Sequence, residues 1–266
     1  MPKVQVNGID IFYEVKGTGE PVLLIAGFMC DRTYWSLLQP HLVSQYQVIR
    51  FDNRGIGQSS IPNSPYSTQK MAEDAAALLD ILGIKQAHII GHSMGGQIAQ
   101  ELAFLYPEKV KSLVLMSSLA KGNERFNSVI ETWGNLAGKI DLMLYEKLIL
   151  PWIFTDDFYA IPEMIDQLIE WAINYPFAPT TQGIYHQSRA IINHDTTDRI
   201  KNIHCPTLVI VGKQDILTPV AFSEQLAQNI PQAELQVIEN GGHGFLIEST
   251  AAVTQAILKF LAKFQQ

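Results

Sequence analysis

Three residues of the sequence have the types and settings that nucleophilic catalysis requires: Ser93, Asp215 and His243. Ser93 is at the centre of Gly91-His92-Ser93-Met94-Gly95, which fits the pattern G-x-S-x-G and lies between an apolar strand-like run and an amphipathic helical pattern. A catalytic serine needs such a sharp strand-to-helix turn because its hydroxyl must project from the edge of a sheet. A glycine-rich turn of a nucleotide-binding fold is the alternative, but this strand-helix setting favours a nucleophile.

The second half of the chain supplies one carboxylate and one imidazole after strand-like runs. Asp215 lies in the loop that leaves the run at 207–211, and His243 lies in the glycine-rich loop after the run at 233–238. A serine hydroxyl is a weak nucleophile until a base takes its proton, and an imidazole base needs a carboxylate to fix its tautomer. The sequence therefore predicts Ser93 as nucleophile, His243 as general base and Asp215 as the acid that orients it. An ordinary turn aspartate and a surface histidine are the alternatives.

Polar residues near these three are expected to have supporting roles. Thr218 is predicted to cap the helix that follows Asp215, with Pro219 at the first helical position. His92 is adjacent to the serine, but neighbouring side chains at this turn point in different directions, so we expect it to pack rather than to act as the base. Three other histidines are expected to be structural: His186, His194 and His204.

The elements that must position these residues alternate between strand and helix. Near-continuous apolar runs are typical of strands buried on both faces, and they occur at 22–26, 48–51, 88–91, 110–116 and 207–211. Apolar residues recur at helical spacing at 71–82, 98–105 and 253–264. The alternation predicts an α/β fold with a mostly parallel sheet covered by helices on both faces. Residues 4–15 around Asn7-Gly8 predict an antiparallel hairpin.

The alternation breaks between Leu119 and Arg199, where three of the four tryptophans occur and no convincing buried strand is found. We interpret 1–119 and 200–266 as the core domain and 120–199 as a helical cap inserted between two strands. Aromatic residues of the cap could form its own core, but pockets for small molecules are also lined mainly by apolar and aromatic groups. Five residues are candidates for a substrate pocket: Trp133, Trp152, Phe154, Trp171 and Phe245.

Composition limits the functions that the chain can have. Hydrophobic residues make up 47% of the 266 residues and charged residues 17%, which predicts a globular chain rather than a disordered one. A net charge of -7 supplies no positive field for nucleic acid or anionic membrane. The sequence shows no secretory signal and no bilayer-spanning run, so a cytoplasmic protein is expected. Cys30 and Cys205 are interpreted as buried thiols.

One further motif resembles a phosphate-binding loop. The residues Asp52-Asn53-Arg54-Gly55-Ile56-Gly57 follow a strand, but they lack the lysine and the spacing of a P-loop. We expect a structural turn in which Asp52 and Arg54 brace neighbouring loops. No His, Asp or Glu cluster has metal-ligand spacing, so neither a metal nor another cofactor is expected. Arg32 and Arg189 could pair with a substrate carboxylate, although solvated surface positions are favoured for both.

These motifs together resemble the α/β-hydrolase family, over residues 4–264. The resemblance is to its compact bacterial members, such as enol-lactone hydrolases, carboxylesterases, aminoacrylate hydrolase and cofactor-free haloperoxidases. The matching motifs are 91–96, 52–59, 212–219 and 241–243. It implies an eight-stranded sheet with the cap inserted after the sixth strand, and the triad order Ser93, Asp215, His243 is that of the family.

The resemblance also implies an oxyanion hole made by the backbone N–H groups of Met94 and Phe28. Many relatives have His-Gly in the loop that carries the second donor, whereas this sequence has Ala26-Gly27. A backbone donor survives that change, but the loop loses a side chain that could have held it. The position of this loop is therefore the least determined part of the expected site.

The function predicted from these residues is hydrolysis of a small ester or lactone through an acyl-enzyme. Cleavage of a carbon–carbon bond in a diketone acid, or of a thioester, would use the same triad and stays open. Ser93 argues against an epoxide hydrolase or a haloalkane dehalogenase, since these need a carboxylate nucleophile. A ligand receptor that has kept the fold is a less favoured alternative. The expected partner is a small molecule, and its identity depends on the shape of the cap.

Overall fold

A single mixed sheet forms the centre of the computed structural model, which describes residues 2–265. Its strands within those residues are β1 (Lys3–Val6), β2 (Ile9–Lys16), β3 (Glu20–Ile25), β4 (Tyr46–Phe51), β5 (Ala87–His92), β6 (Val110–Met116), β7 (Thr207–Gly212) and β8 (Ala233–Ile238). The strand order is β1-β2-β4-β3-β5-β6-β7-β8. Each strand-like run named from the sequence is a strand, and the predicted sheet is confirmed.

The sheet is parallel except at its first two strands. β2 pairs antiparallel with β1 and with β4, while the pairings from β4 through β8 are parallel. The β1–β2 turn has Asn7 and Gly8 at φ 48° and 78°, which is the left-handed geometry that tight hairpin turns require. Because β5, β7 and β8 are parallel, their carboxyl ends lie at one edge of the sheet, and the loops leaving them are brought together there.

Helices cover both faces of the sheet. The α-helices of residues 2–265 are α1 (Gln39–Leu42), α2 (Thr68–Ile81), α3 (Met94–Leu105), α4 (Glu124–Leu136), α5 (Leu142–Ile153), α6 (Asp156–Tyr159), α7 (Met164–Asn174), α8 (Thr181–Ile192), α9 (Val220–Asn229), α10 (Phe245–Glu248) and α11 (Thr250–Leu261). In β3, Leu23 and Ile25 pack into one core cluster with α2 and α3, while Val22 and Leu24 pack into a second cluster with α11. Burial on both sides explains why the strands are apolar at nearly every position. Among residues 2–265, no helix is both long and apolar enough to span a bilayer.

Helices α4 to α8 lie between β6 and β7, the sixth and seventh strands. The chain enters and leaves this helical segment at one place, where Lys121 pairs with Asp195 at 2.7 Å and Thr196 N donates to Ala120 O at 2.9 Å. Helices α4, α5 and α8 contribute to the first core cluster, whereas the end of α5 forms a small separate cluster with α6 and α7. The segment is thus joined to the main core through only part of its helices.

Candidate active site

Ser93 lies between β5 and α3 in a backbone conformation that side chains rarely adopt. Its φ and ψ are 53° and -118°, and a non-glycine residue keeps such a conformation only when its surroundings hold it. Ser93 N donates to Met116 O at 2.8 Å, and Ser93 O accepts from Gly96 N at 2.9 Å and from Ser118 Oγ at 3.0 Å. Backbone groups of β6 and α3, together with the Ser118 hydroxyl, therefore fix the turn on both sides of the serine.

The two glycines of the G-x-S-x-G motif are required by close backbone approach. A β-carbon on Gly95 would overlap the carbonyl oxygen of Ile25 in β3, and one on Gly91 would overlap the carbonyl oxygen of Gly95. Helix α3 thus begins directly against the central strands. Any side chain at either position would push the helix, and the serine with it, away from the sheet.

His243 lies within hydrogen-bonding distance of the serine hydroxyl. Its Nε2 is 3.0 Å from Ser93 Oγ, and its Nδ1 is 2.9 Å from Asp215 Oδ2. The loop that carries it is tied by Glu248, whose carboxylate accepts from Gly242 N at 2.6 Å and from both N and Oγ1 of Thr155 at 2.8 Å. One carboxylate therefore holds the His243 loop against the start of α6.

Asp215 is fully enclosed and accepts several hydrogen bonds. Oδ1 accepts from Leu217 N at 3.0 Å and from Thr218 N at 2.7 Å, while Oδ2 accepts from Thr218 Oγ1 at 2.7 Å. Burial by itself raises the pKa of Asp215, but the charge of His243 and the hydrogen bonds from His243 and Thr218 outweigh it. The pKa of Asp215 therefore lies below its ordinary value, and the group facing His243 Nδ1 is a carboxylate.

Thr218 does not have the role predicted for it. The N-cap residue of α9 is Pro219, and no side chain caps that helix. The Thr218 hydroxyl instead donates to Asp215 and lies 3.1 Å from His243 Nδ1. The helix-capping prediction was wrong because the Thr218 hydroxyl binds the buried carboxylate of Asp215 and not the first turn of α9.

His92 supports the site rather than facing the serine hydroxyl. Its Nε2 donates to the backbone oxygen of His243 at 3.0 Å, and its ring stacks on Tyr34 with 4.7 Å between centroids. Burial, followed by repulsion from His243, lowers the pKa of His92 to about 3. The His92 ring is therefore neutral at physiological pH. Its hydrogen bond to the backbone oxygen of His243 helps to hold His243, whose own ring faces the Ser93 hydroxyl.

The loop after β3 lies directly against the nucleophile turn. A β-carbon on Gly27 would be 3.2 Å from Ser93 Cβ and 3.1 Å from His92 Nδ1, which is tighter than ordinary side-chain contacts. Among residues 2–265, the N–H groups of Phe28 and Met94 donate to no protein acceptor. Both groups are thus available to an outside oxygen.

The five aromatic residues expected to line a pocket do not lie together. Trp133 is buried in the first core cluster, and Phe154 stacks on Phe158 with 4.3 Å between centroids. Trp152 is half-buried, with the Arg125 guanidinium 5.7 Å from its ring centroid. Trp171 is 56% exposed, and it borders a surface cavity of about 350 Å³ that neither Ser93 nor His243 lines.

Phe245, the fifth of these residues, has no exposed surface. It packs in the second core cluster behind the site, so its ring belongs to the core rather than to a pocket wall. The sequence alone could not separate these cases, since a buried core ring and a pocket ring look the same in a motif.

The turn at 52–57 braces loops, as its sequence predicts. Asp52 pairs with Arg32 at 3.1 Å, and Arg54 pairs with Asp74 at 2.6 Å. Arg32 is buried and also pairs with Glu14 at 2.9 Å, so the surface position favoured for it is wrong. Arg189, the other arginine considered for a substrate carboxylate, is partly exposed and pairs with Glu131 at 3.1 Å. Within residues 2–265, no group of three or more His, Cys, Asp or Glu residues is placed to hold a metal ion.

Sequence matches to known proteins extend over most of the chain. A sequence profile described as alpha/beta hydrolase fold matches residues 20–151, and one described as TAP-like protein matches residues 186–265. A provisionally named non-heme bromoperoxidase of Mycobacterium tuberculosis is 32% identical over 266 residues, covering 96% of this chain and 98% of that protein.

Two solved structures are similar to this chain in both fold and sequence. A thermophilic esterase from Thermogutta terrifontis has a TM-score of 0.88 and 29% identity, and the match covers 99% of both chains. An enol-lactonase from Burkholderia xenovorans has a TM-score of 0.88 and 25% identity, covering 98% of this chain and 100% of that one. With its eight-stranded sheet and the matches in sequence and structure, the chain belongs to the α/β-hydrolase fold family and is an enzyme of that family.

Proposed function

We propose that the protein hydrolyses a small carboxylic ester or lactone through an acyl-enzyme on Ser93, with His243 as general base and Asp215 as its orienting carboxylate. The observation that carries the proposal is the continuous contact from Asp215 Oδ2 to His243 Nδ1 at 2.9 Å and from His243 Nε2 to Ser93 Oγ at 3.0 Å. These are the contacts a general base must make with its nucleophile and with its orienting group.

Acylation begins when Ser93 Oγ attacks the carbonyl carbon and its proton passes to His243 Nε2. The ionised Asp215 stabilises the imidazolium that forms, and it keeps the remaining proton on Nδ1. The carbonyl oxygen, now an anion, accepts hydrogen bonds from the N–H groups of Met94 and Phe28. Collapse of this intermediate breaks the bond to the leaving oxygen, which takes the proton from His243, and Ser93 remains esterified.

Deacylation repeats these steps with water as the nucleophile. His243 Nε2 accepts a proton from the water as it attacks the acyl carbon, and the same two N–H groups receive the second oxyanion. Collapse returns the proton to Ser93 Oγ and releases the carboxylic acid. A lactone follows this path with its alcohol and acid left in one molecule.

The choice of substrate class is supported by the relatives, two of which are named as an esterase and an enol-lactonase. We assign the selection among substrates to the segment 120–199, because its residues reach the site loops from outside the sheet. Gly244 N donates to Ile153 O at 2.8 Å, for example, so the end of α5 lies directly beside His243.

The test is turnover of short and long esters and of lactones, together with labelling by a fluorophosphonate. The wild-type protein is expected to hydrolyse at least one of these substrates and to be labelled, whereas Ser93→Ala is expected to do neither. Ser128→Ala is a matched control, since this serine is exposed on α4 and makes no contact with the nucleophile turn. Equal labelling of wild type and Ser93→Ala would remove Ser93 from the mechanism.

A further inference from the structure

Gln187 connects the segment 120–199 to the loop that carries the Phe28 N–H. This residue of α8 is 1% exposed. Its side-chain Oε1 accepts from Met29 N at 3.2 Å, and its Nε2 donates to Arg54 O at 3.0 Å. One buried amide thus satisfies two backbone groups from loops that follow two different strands, β3 and β4.

The backbone that Gln187 contacts is in a conformation that needs support. Met29 has φ 60°, which a residue with a long side chain rarely adopts. Such a conformation persists only where surrounding contacts determine it. Within the loop, the structure gives one backbone hydrogen bond, from Cys30 N to Gly27 O at 3.3 Å. The conformation of Met29 therefore depends on contacts from outside the loop.

A second amide holds the other end of the same loop. Asn53 is 1% exposed, and its Nδ2 donates to Ala26 O at 3.1 Å. Since Gln187 also binds the carbonyl of the next residue, Arg54, the two amides and the turn at 52–57 form one connected frame around residues 26–29. The frame therefore includes the carbonyl of Ala26, at the start of this loop.

Two helices of the segment contact Met29. While Gln187 of α8 binds its backbone, Tyr145 of α5 places its hydroxyl 3.7 Å from Met29 Sδ and donates to Trp133 O at 2.9 Å. The start of α8 is also packed tightly on the turn, because a β-carbon on Gly183 would overlap the carbonyl oxygen of Gly55. Any displacement of α8 would therefore be transmitted to the loop.

We propose that Gln187 is a positioning residue that sets the direction of the Phe28 N–H toward the oxyanion, an inference that rests on the proposed function. The Met29 N–H and the Phe28 carbonyl belong to one planar peptide. Fixing that N–H fixes the peptide next to the donor and so limits rotation of Phe28. Removal of Gln187 leaves the donor present but misdirected. Since loss of a whole oxyanion donor costs about 10²–10³ in rate, misdirection is expected to lower kcat by about 10-fold to 100-fold.

The experiment compares Gln187→Met, which keeps the volume and removes both hydrogen bonds, with Ser188→Ala on the same helix. Ser188 is equally buried, but its hydroxyl donates within α8, to Tyr185 O at 2.7 Å. With the ester that wild type hydrolyses best, Gln187→Met is expected to lower kcat by the factor above and to leave KM within about two-fold. Affinity for a trifluoromethyl ketone, which forms a tetrahedral oxyanion adduct with an active serine, should fall by the same factor as kcat. Gln187→Ala serves if the methionine variant does not fold.

The outcomes separate this inference from the function on which it rests. If Ser93→Ala turns over substrate as well as wild type, the proposed function fails. If Ser93→Ala is inactive but both Gln187 variants match Ser188→Ala in kcat and in ketone affinity, only the role of Gln187 is overturned. A rise in KM at unchanged kcat would also overturn it, because Gln187 would then act on substrate binding rather than on the oxyanion.

Discussion

The carboxyl edge of the sheet and the helical segment 120–199 are stabilised in different ways. At the edge, Ser93, Asp215 and His243 lie on short loops whose backbone groups are bound by adjacent strands and helices, and the aspartate and histidine are buried. The segment carries ten of the seventeen large apolar side chains that are exposed among residues 2–265, with Met143 50% and Trp171 56% exposed. The edge is thus held by buried polar contacts, whereas the segment carries most of the exposed apolar side chains.

This difference separates the chemistry from the choice of substrate. Rigid support at the edge preserves the distances that proton transfer requires, whatever acyl group is bound. A segment that shares only part of its helices with the core can change shape at a smaller cost to stability. Substitutions of buried residues at the edge should therefore reduce catalysis or folding, and substitutions of exposed side chains on α7 should do neither.

The largest expected effect is that of Asp215→Asn. An amide can donate to His243 Nδ1 and so stabilise the wrong tautomer, which in an analogous triad lowers kcat by about 10⁴. We expect a similar loss in ester turnover, with the circular dichroism spectrum unchanged. Glu239→Gln is the matched control, because this exposed carboxylate in the loop before His243 pairs only with Lys213. Activity of Asp215→Asn equal to that of the control would show that the edge does not need this carboxylate.

Two glycine substitutions at the edge compare its neighbours, because Gly95 lies against sheet backbone and Gly244 lies against side chains of the segment. In Gly95→Ala the new carbon meets backbone of β3, which cannot yield, so we expect a loss of about 3 kcal/mol in the free energy of unfolding. In Gly244→Ala it meets the Phe154 ring, at 2.7 Å from Cε1, and that ring can turn away at a cost of about 1 kcal/mol. Urea denaturation of both variants measures the difference. Equal losses would mean that the segment is as rigid as the edge.

The sequence was sufficient to predict most of the edge because the determinants there are local. The strand 110–116 and the G-x-S-x-G turn follow from consecutive residues whose burial and backbone geometry leave few alternatives. Gln187 could not be found in this way, since its two partners are 158 and 133 residues distant in the chain. The sequence also did not reveal that the Phe245 ring packs into the core, because a loop sequence does not decide on which side of the loop a ring packs.

A smaller effect is expected at the junction of the two regions, where His194 contacts Thr68 Oγ1 through Nδ1 at 2.9 Å. Burial, followed by repulsion from Arg199, lowers the pKa of His194 to about 3. Since an unfolded histidine binds a proton below pH 6.5, the unfolded state binds more protons between pH 6.5 and 3, and stability falls as the pH falls through that range. This one residue contributes a slope of about 1 kcal/mol per pH unit.

Replacing His194 with asparagine tests that slope, because the amide can still bond Thr68 but does not take up a proton. Urea midpoints measured at pH 6.5 and 4.5 should differ less in His194→Asn than in wild type, by about 2 kcal/mol in the free energy of unfolding. The exposed His204 provides the control variant His204→Asn, which should keep the wild-type difference. If both variants lost as much free energy of unfolding between pH 6.5 and 4.5 as wild type does, His194 would be protonated in the folded protein.

The smallest effect is expected for Trp171→Ala on α7. The Trp171 ring packs at a tilt on Tyr175, with 4.8 Å between centroids, but is more than half exposed. Its removal should therefore change the free energy of unfolding by less than about 0.5 kcal/mol. Ester kcat/KM should stay within about two-fold of that of Ile173→Ala, an exposed neighbour on the same helix. A selective fall in kcat/KM for Trp171→Ala would show that α7 moves to bring this ring onto the substrate. Helix α7 would then take part in binding, and its exposed apolar side chains would belong to an open arrangement of the segment.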